Sequence, residues 1–334
     1  MCSFAALKLI TEMKRKILLA ITCVFMTALI ASADNRHEAG LKVLYWNIQN
    51  GMWDGQADNY CRFTDWVASR KPDICVWAEA QSIFRTGTGV KMAPEDRYLT
   101  DGWAELAARY GHRYIYIGGH RDNYPQVVTS RFPISDAGRF TDEVKDSTVA
   151  HGSGWAKINV RGHELNIVTV HTWPQRFSFE YNGKSPELQK QSAARNGGDL
   201  YRLKEMTYIC NNTVLADKDA ESHLWLMLGD FNSISSIDND VYDFPADSSC
   251  FILHDYIRHR TPYIDSVKEH NQEFSWTTFS KLRYDYMYMT PALDALVKKA
   301  SVIYDDYTMP VSDPQVRGFC HPSDHLPLEA IFEI

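Results

Sequence analysis

Leu224-Trp225-Leu226-Met227-Leu228-Gly229-Asp230-Phe231-Asn232-Ser233 is the stretch around which the rest of the chain is organised. Five apolar residues run into a glycine, and Asp230 and Asn232 then stand two positions apart. A short apolar run bounded by turn residues reads as a buried strand. Side chains two apart share one side of an extended chain, so a carboxylate and a carboxamide leave the end of a core strand together. Such a pair suits a hard cation or a phosphoryl oxygen. The same residues also suit a turn in which Asp and Asn bond their own backbone. What other segments deliver decides between the two.

Leu41 to Trp46 is apolar and β-prone and ends in Asn47, just before an Asn50-Gly51 turn signal. Tyr60 to Arg70 carries Phe63, Trp66 and Val67 at helical spacing and stops at Lys71-Pro72-Asp73. Ile74 to Ala78 is a second buried strand, ending in Glu79. Strand, helix and strand in this span predict a βαβ unit. A helix is expected over Trp103 to Tyr110, with strands at Tyr114–Ile117 and 126–129. Trp155–Val160 and Glu164–Val170 predict a hairpin about Arg161-Gly162, its second strand ending in His171. Ser185-Pro186-Glu187 opens what reads as one long amphipathic helix. Phe274–Thr277 and Arg283–Met289 supply late strands, the latter containing Asp285. Ser323-Asp324-His325 precedes a last strand, Leu328 to Ile334.

The first 33 residues read as an export signal: Lys14-Arg15-Lys16, fourteen mostly apolar residues from Ile17 to Ile30, then Ala31-Ser32-Ala33. Met13 is a better start for such a signal than Met1. The apolar run falls short of the ~20 residues that span a bilayer, so no stable membrane span is expected after cleavage, and an exported, periplasmic or extracellular monomer is. Without residues 1–33 the chain carries 31 basic and 41 acidic residues, a net charge of −10. That balance argues against gripping duplex DNA by its phosphates, which takes clustered Lys and Arg. The five remaining cysteines are widely spaced with no C-x-x-C pair, which is no zinc or redox signature. Residues 41–334 read as one domain.

Asn47, Glu79, His171, Asp230 with Asn232, and Asp324 with His325 all stand at the ends of different apolar runs. Strands ending on one rim can converge such groups into one pocket. Oxygen ligands dominate, which suits Mg²⁺, Mn²⁺ or Ca²⁺ better than zinc. Histidine beside carboxylates suits proton transfer near neutral pH.

Taken together, Trp46-Asn47-Ile48, Ala78-Glu79, Ser130-Arg131-Phe132-Pro133-Ile134, Val170-His171, Gly229-Asp230-Phe231-Asn232, Arg283-Tyr284-Asp285-Tyr286 and Ser323-Asp324-His325 resemble, in order, the motifs of the endonuclease/exonuclease/phosphatase superfamily. Its members include pancreatic deoxyribonuclease, abasic-site endonucleases, neutral sphingomyelinases and inositol-polyphosphate phosphatases. The resemblance covers nearly all of residues 41–334. It implies an α/β four-layer sandwich, two packed mixed β-sheets flanked by helices, and a divalent-metal-dependent hydrolase of phosphodiester or phosphomonoester bonds. By position, Glu79 resembles the main metal-binding carboxylate, with Asn47 beside it and Asp324 assisting the metal or its waters. His325 would activate water or stabilise the transition state, with Asp285 bonded to its other ring nitrogen. Asp230 and Asn232 would position the attacking water and a phosphoryl oxygen, and either Asp230 or His325 serves as the base. His171 matches a histidine placed against the scissile phosphate. The substrate class stays open between nucleic acids, lipid head groups and sugar or inositol phosphates, because Trp173-Pro174-Gln175-Arg176-Phe177 departs from the nuclease and sphingomyelinase patterns. A catalytically silent phospholigand-binding protein on the same scaffold is the alternative of a different kind.

Each residue also has a plainer reading. Asn47 could only start its turn, Glu79 could lie on the surface and His171 could be structural. Arg131 is expected to brace a loop. Trp53, Trp173, Phe177 and Phe179 could stack on substrate or simply pack.

Overall fold

In the computed structural model, residues 40–97, 99, 102–118, 124–140 and 148–334 are described. The expected export signal, residues 1–33, lies outside them. Residues Leu41–Ile334 cluster as one compact unit, and no helix among the described residues is long and apolar enough to cross a membrane.

Fourteen strands run in chain order: β1 (Leu41–Asn47), β2 (Ile74–Ala78), β3 (Tyr114–Ile117), β4 (Val127–Ser130), β5 (Ile134–Arg139), β6 (Gly154–Val160), β7 (His163–His171), β8 (Leu224–Asp230), β9 (Ile264–Asp265), β10 (Asp285–Met289), β11 (Val297–Val302), β12 (Val311–Ser312), β13 (Cys320–His321) and β14 (Leu328–Phe332). They form two mixed six-stranded sheets, ordered β11-β14-β1-β2-β4-β3 and β5-β6-β7-β8-β10-β9, with β12-β13 as a separate ribbon. The helix Cys61–Arg70 joins β1 to β2, which pair in parallel, as the βαβ expectation required. The hairpin about Arg161-Gly162 is also present, with Val160 opposite His163.

Side-chain alternation sorts the strands into three buried layers. Leu41, Val43 and Tyr45 of β1, Ile74 and Val76 of β2, Leu165 and Ile167 of β7, Leu226 and Leu228 of β8, and Met287 and Met289 of β10 meet between the sheets. Leu44, Trp46, Cys75 and Trp77 point the other way, against Phe63, Trp66 and Val67 of the helix Cys61–Arg70 and against Trp103 and Leu106 of the helix Trp103–Arg109. Val168, Val170, Met227, Tyr286 and Tyr288 pack on Met206 and Ile209 of the helix Gly197–Asn211 and on Leu253 and Ile257 of the helix Ile252–Arg260. Helix, sheet, sheet, helix is the predicted four-layer sandwich. Each fully buried aliphatic side chain in these layers contributes roughly 1.5–3 kcal/mol.

Two local expectations fail. The long helix after Ser185 is two helices, Pro186–Ala193 and Gly197–Asn211, broken at Asn196 in the left-handed conformation (φ 56°). Gly198 there presses on the backbone of Gln175 and Arg176, where a Cβ would collide, so the chain bends to admit that approach. Residues 274–277 form no strand. Thr277 instead turns its Oγ1 to accept the amides of Tyr284 (3.0 Å) and Asp285 (3.1 Å). Arg131 braces a loop as expected, its guanidinium 2.6 Å from Asp73 Oδ1.

Candidate active site

The rows of side chains that fill the inter-sheet core continue past it and turn polar at one end. Asn47 follows Leu41, Val43 and Tyr45 by the two-residue period. Asp230 follows Leu226 and Leu228, and His171 follows Leu165 and Ile167. Asp285 precedes Met287 and Met289. In the second sheet His171 lies opposite Asp230 across the parallel β7/β8 pair, and Asp285 lies opposite Asp230 across the antiparallel β8/β10 pair. Gly229 allows this closeness, since a Cβ there would sit 1.9 Å from the Val170 carbonyl oxygen, far inside van der Waals contact.

Asp230 is the centre of the site and is buried. Its Oδ1 accepts the Asn232 amide at 2.8 Å, and its Oδ2 accepts Asn47 Nδ2 at 3.1 Å. That Oδ2 also lies 3.7 Å from the Nε2 atoms of both His171 and His325. Burial, with the nearby Asp285 and Glu79 charges, pushes the Asp230 carboxyl up to about 7 against the pull of His325 and the Asn232 amide. Asn232 sits at positive φ (44°), a conformation asparagine tolerates, and donates Nδ2 to the Thr172 carbonyl at 3.0 Å.

His325 arrives on the loop before β14. Thr278 pairs with it as a single antiparallel bridge, and Trp46 Nε1 donates to its carbonyl at 2.8 Å. Its Nδ1 lies 2.7 Å from Asp285 Oδ2, while Asp285 Oδ1 accepts the Tyr45 hydroxyl at 2.8 Å. Burial alone would lower the His325 pKa. Asp285, Asp324 and Asp230 outweigh it and hold the ring well above the usual histidine value. His171 is the opposite case: burial, then the neighbouring His151 and His325, hold it well below that value. It is neutral at pH 7 and enters the site as an N–H donor, not as a cation.

Glu79 follows β2 at positive φ (52°), a strained setting for a non-glycine residue. Its Oε2 accepts the Asn50 amide at 2.9 Å, and its Oε1 stands 3.5 Å from Asn47 Nδ2 and 3.9 Å from His171 Nε2. Asp324, about a third exposed, has Oδ1 4.0 Å from His325 Nε2. Burial pushes both carboxyls up, and Asp324 adds to the shift at Glu79. Asn47 accepts the Gln49 amide on Oδ1 at 3.1 Å, so its nitrogen, not its oxygen, faces the carboxylates. In this pose it orients them, and it would reach a cation only with its amide turned over.

Glu79, Asp324, Asp230 and Asp285 thus crowd four carboxyls against one imidazolium, and three of the four are pushed upward. That surplus of negative oxygen fits a hard divalent cation. The ligand atoms of Asp230, Asp285 and His325 also lie within 4.8 Å of one another. Both Asp285 oxygens are already bonded, however, so that trio reads as a proton relay.

A cleft of about 470 Å³ opens over this set, lined by Glu79, His171, Asp230, Asn232, Asp324 and His325, with Asn47 and Asp285 behind them. All eight residues expected from the sequence therefore meet in one place. Lys91, Tyr124, His151, Gln175 and Phe319 also line the cleft and were not singled out. They come from irregular segments, where no periodicity marks a side chain as facing inward. A larger concavity of about 660 Å³ near Asp217 and Pro262 gathers no comparable set. Of the aromatic candidates, Trp53 packs under Phe319 at 4.5 Å, Phe177 and Phe179 pack with Tyr201 and Ala150, and Trp173 joins that cluster while also lining the cleft. The five described cysteines are free.

No family model matches the sequence, and no curated protein sequence matches it. Solved structures do. An AP endonuclease from Archaeoglobus fulgidus is 18% identical with a TM-score of 0.55, the match covering 88% of this chain and 100% of that one. An endonuclease/exonuclease/phosphatase family protein from Leptotrichia buccalis is 16% identical, with the same TM-score and coverage. A humanized D. rerio TDP2 is 15% identical at a TM-score of 0.53, over 88% of this chain and 99% of that one. At such identities the likeness is one of architecture, and by it this chain has the fold of the endonuclease/exonuclease/phosphatase proteins.

Proposed function

We propose that the protein is a divalent-metal-dependent hydrolase of phosphate esters, of the nuclease or phosphodiesterase type, made for export. The observation that carries this reading is Asp230 near pH 7, set between two imidazoles, with His325 backed by Asp285. A general base poised near the working pH suits proton removal from water. Asp230 takes the proton of the attacking water, and Asn47 and the Asn232 amide keep its carboxylate aimed. His325, its ring oriented by Asp285, carries positive charge at neutral pH and faces the charge that develops on phosphoryl oxygen. This division of labour favours Asp230 over His325 as the base. Neutral His171 offers an N–H to the leaving oxygen. Glu79 and Asp324 would hold the cation, which when bound neutralises charge on the phosphoryl oxygens.

One of the neighbours named above is an AP endonuclease, which favours phosphodiesters over sugar phosphates. The purified protein is expected to hydrolyse bis-p-nitrophenyl phosphate with Mg²⁺ and to lose that activity in Asp230→Ala and His325→Ala. Full activity in either variant removes the assignments. Hydrolysis of p-nitrophenyl phosphate alone, with the diester untouched, moves the reading to a phosphatase. A substrate panel of plasmid DNA, RNA, sphingomyelin and inositol phosphates across several metals then names the class.

A further inference from the structure

Two imidazoles stand together at the cleft wall, and only one has been given a task. His151 is 6% exposed and lies just before β6. Its ring centroid is 4.3 Å from that of His171, with Tyr124 packed 5.1 Å away. The Nδ1 atoms of both histidines are buried with no hydrogen-bond partner among the described residues. Leaving a buried polar atom unmatched is costly, and such atoms in folded proteins call for a functional reason or a bound partner.

The backbones that carry these rings are tied to one side chain. Glu205, fully buried on the helix Gly197–Asn211, accepts the Ala150 amide on Oε1 and the Trp173 amide on Oε2, each at 2.8 Å. Arg202, from the preceding turn, donates Nη1 to the carbonyls of Trp173 (2.7 Å) and Gln175 (3.2 Å). One helix thus grips the residue next to His151 and the residue two beyond His171. The two segments it joins are 23 positions apart in sequence. A tie serving stability alone has no need to end in two touching imidazoles that both line the cleft. Burial keeps His151 neutral, at about 4, so its ring carries one N–H for a ligand oxygen.

We propose that His151 contacts a phosphoryl oxygen of the substrate beside His171, and that Glu205 is the positioning residue that holds both rings. This rests on the phosphate-ester reading above.

Kinetics with bis-p-nitrophenyl phosphate and Mg²⁺ test it. His151→Ala is expected to lower kcat about 100-fold with little change in KM, as loss of one transition-state donor does. His151→Asn, which places an amide N–H near the Nδ1 position, should recover part of the rate. Glu205→Gln keeps the volume but turns one acceptor into a donor facing a donor, and should cost about tenfold in kcat. Where that variant does not fold, Glu205→Asp, one methylene short, takes its place. The double variant of His151→Ala with either should lose less than the product of the two single losses, because Glu205 acts in part through His151 and in part through His171. A wild-type rate in His151→Ala overturns the contact, and additive losses overturn the positioning role. A separate reading needs no turnover. In protein labelled with ¹³C-histidine, with Mg²⁺ present, inorganic phosphate should shift the His151 ring signal together with that of His171. A His151 signal that stays in place overturns the contact. A shift in a protein that hydrolyses no ester keeps the contact and removes only the hydrolase reading.

Discussion

Asp230 concentrates the chemistry because it is buried, bonded and flanked at once. With its carboxyl near 7, the base is protonated below that pH and free above it. kcat/KM should therefore rise with pH, tenfold per unit on the acid side of a limb that the bound cation places below 7, and the rise should be absent in Asp230→Asn. A cation at Glu79 adds positive charge nearby and moves this limb to lower pH, so raising Mg²⁺ should shift it leftward. Asp285→Asn keeps the shape but removes the charge that holds the His325 proton on Nδ1, and a loss of 10²–10⁴-fold in kcat is expected, measured at constant metal. These residues were legible because each ends an apolar run, and the parity of the run fixes where it points. His151 was not. It stands in His151-Gly152-Ser153-Gly154, where no alternation precedes it. Glu205 was hidden too, as one acid among several on a helix whose buried face gives no sign of a backbone partner.

Among the elements, β8 carries the heaviest constraint. Its partner strands bring His171 and Asp285 to either side of Asp230 only if β7 approaches closely at Gly229. Gly229→Ala must push the Val170 carbonyl away, and should destabilise the fold by about 1–3 kcal/mol in urea unfolding while lowering kcat as His171 and Asp230 part. Strands β1, β2 and β8 could be read from sequence because their apolar runs are short, uninterrupted and punctuated. The helix after Ser185 could not. Asn196-Gly197-Gly198 carries turn signals, but their use as a break depends on the approach of the Gln175–Arg176 backbone, a contact between distant positions. The same holds for 274–277, where β-prone residues are diverted to serve Asp285 through the Thr277 hydroxyl.

Over the molecule as a whole, the four crowded carboxyls predict that a divalent cation stabilises the folded state. A cation at a hundred times its Kd should add about 2.7 kcal/mol, read as a rise in melting temperature that Glu79→Gln reduces, and EDTA should abolish hydrolysis. The layer order was legible in outline, since alternating strands and helices suit such a sandwich but do not select it, and the terminal motifs carried the rest. One feature of the topology sets a timetable. Strand β14, the latest in sequence, lies between β1 and β11, and His325 enters just ahead of it. A nascent chain emerging from the ribosome therefore holds Asn47 and Glu79 on a sheet in which β1 and β11 are not yet joined, and Asp230 has His171 beside it but not His325. Synthesis must pass His325 before its ring can meet Asp285, so on the hydrolase reading the growing polypeptide lacks its charged histidine until almost the whole sequence has been made.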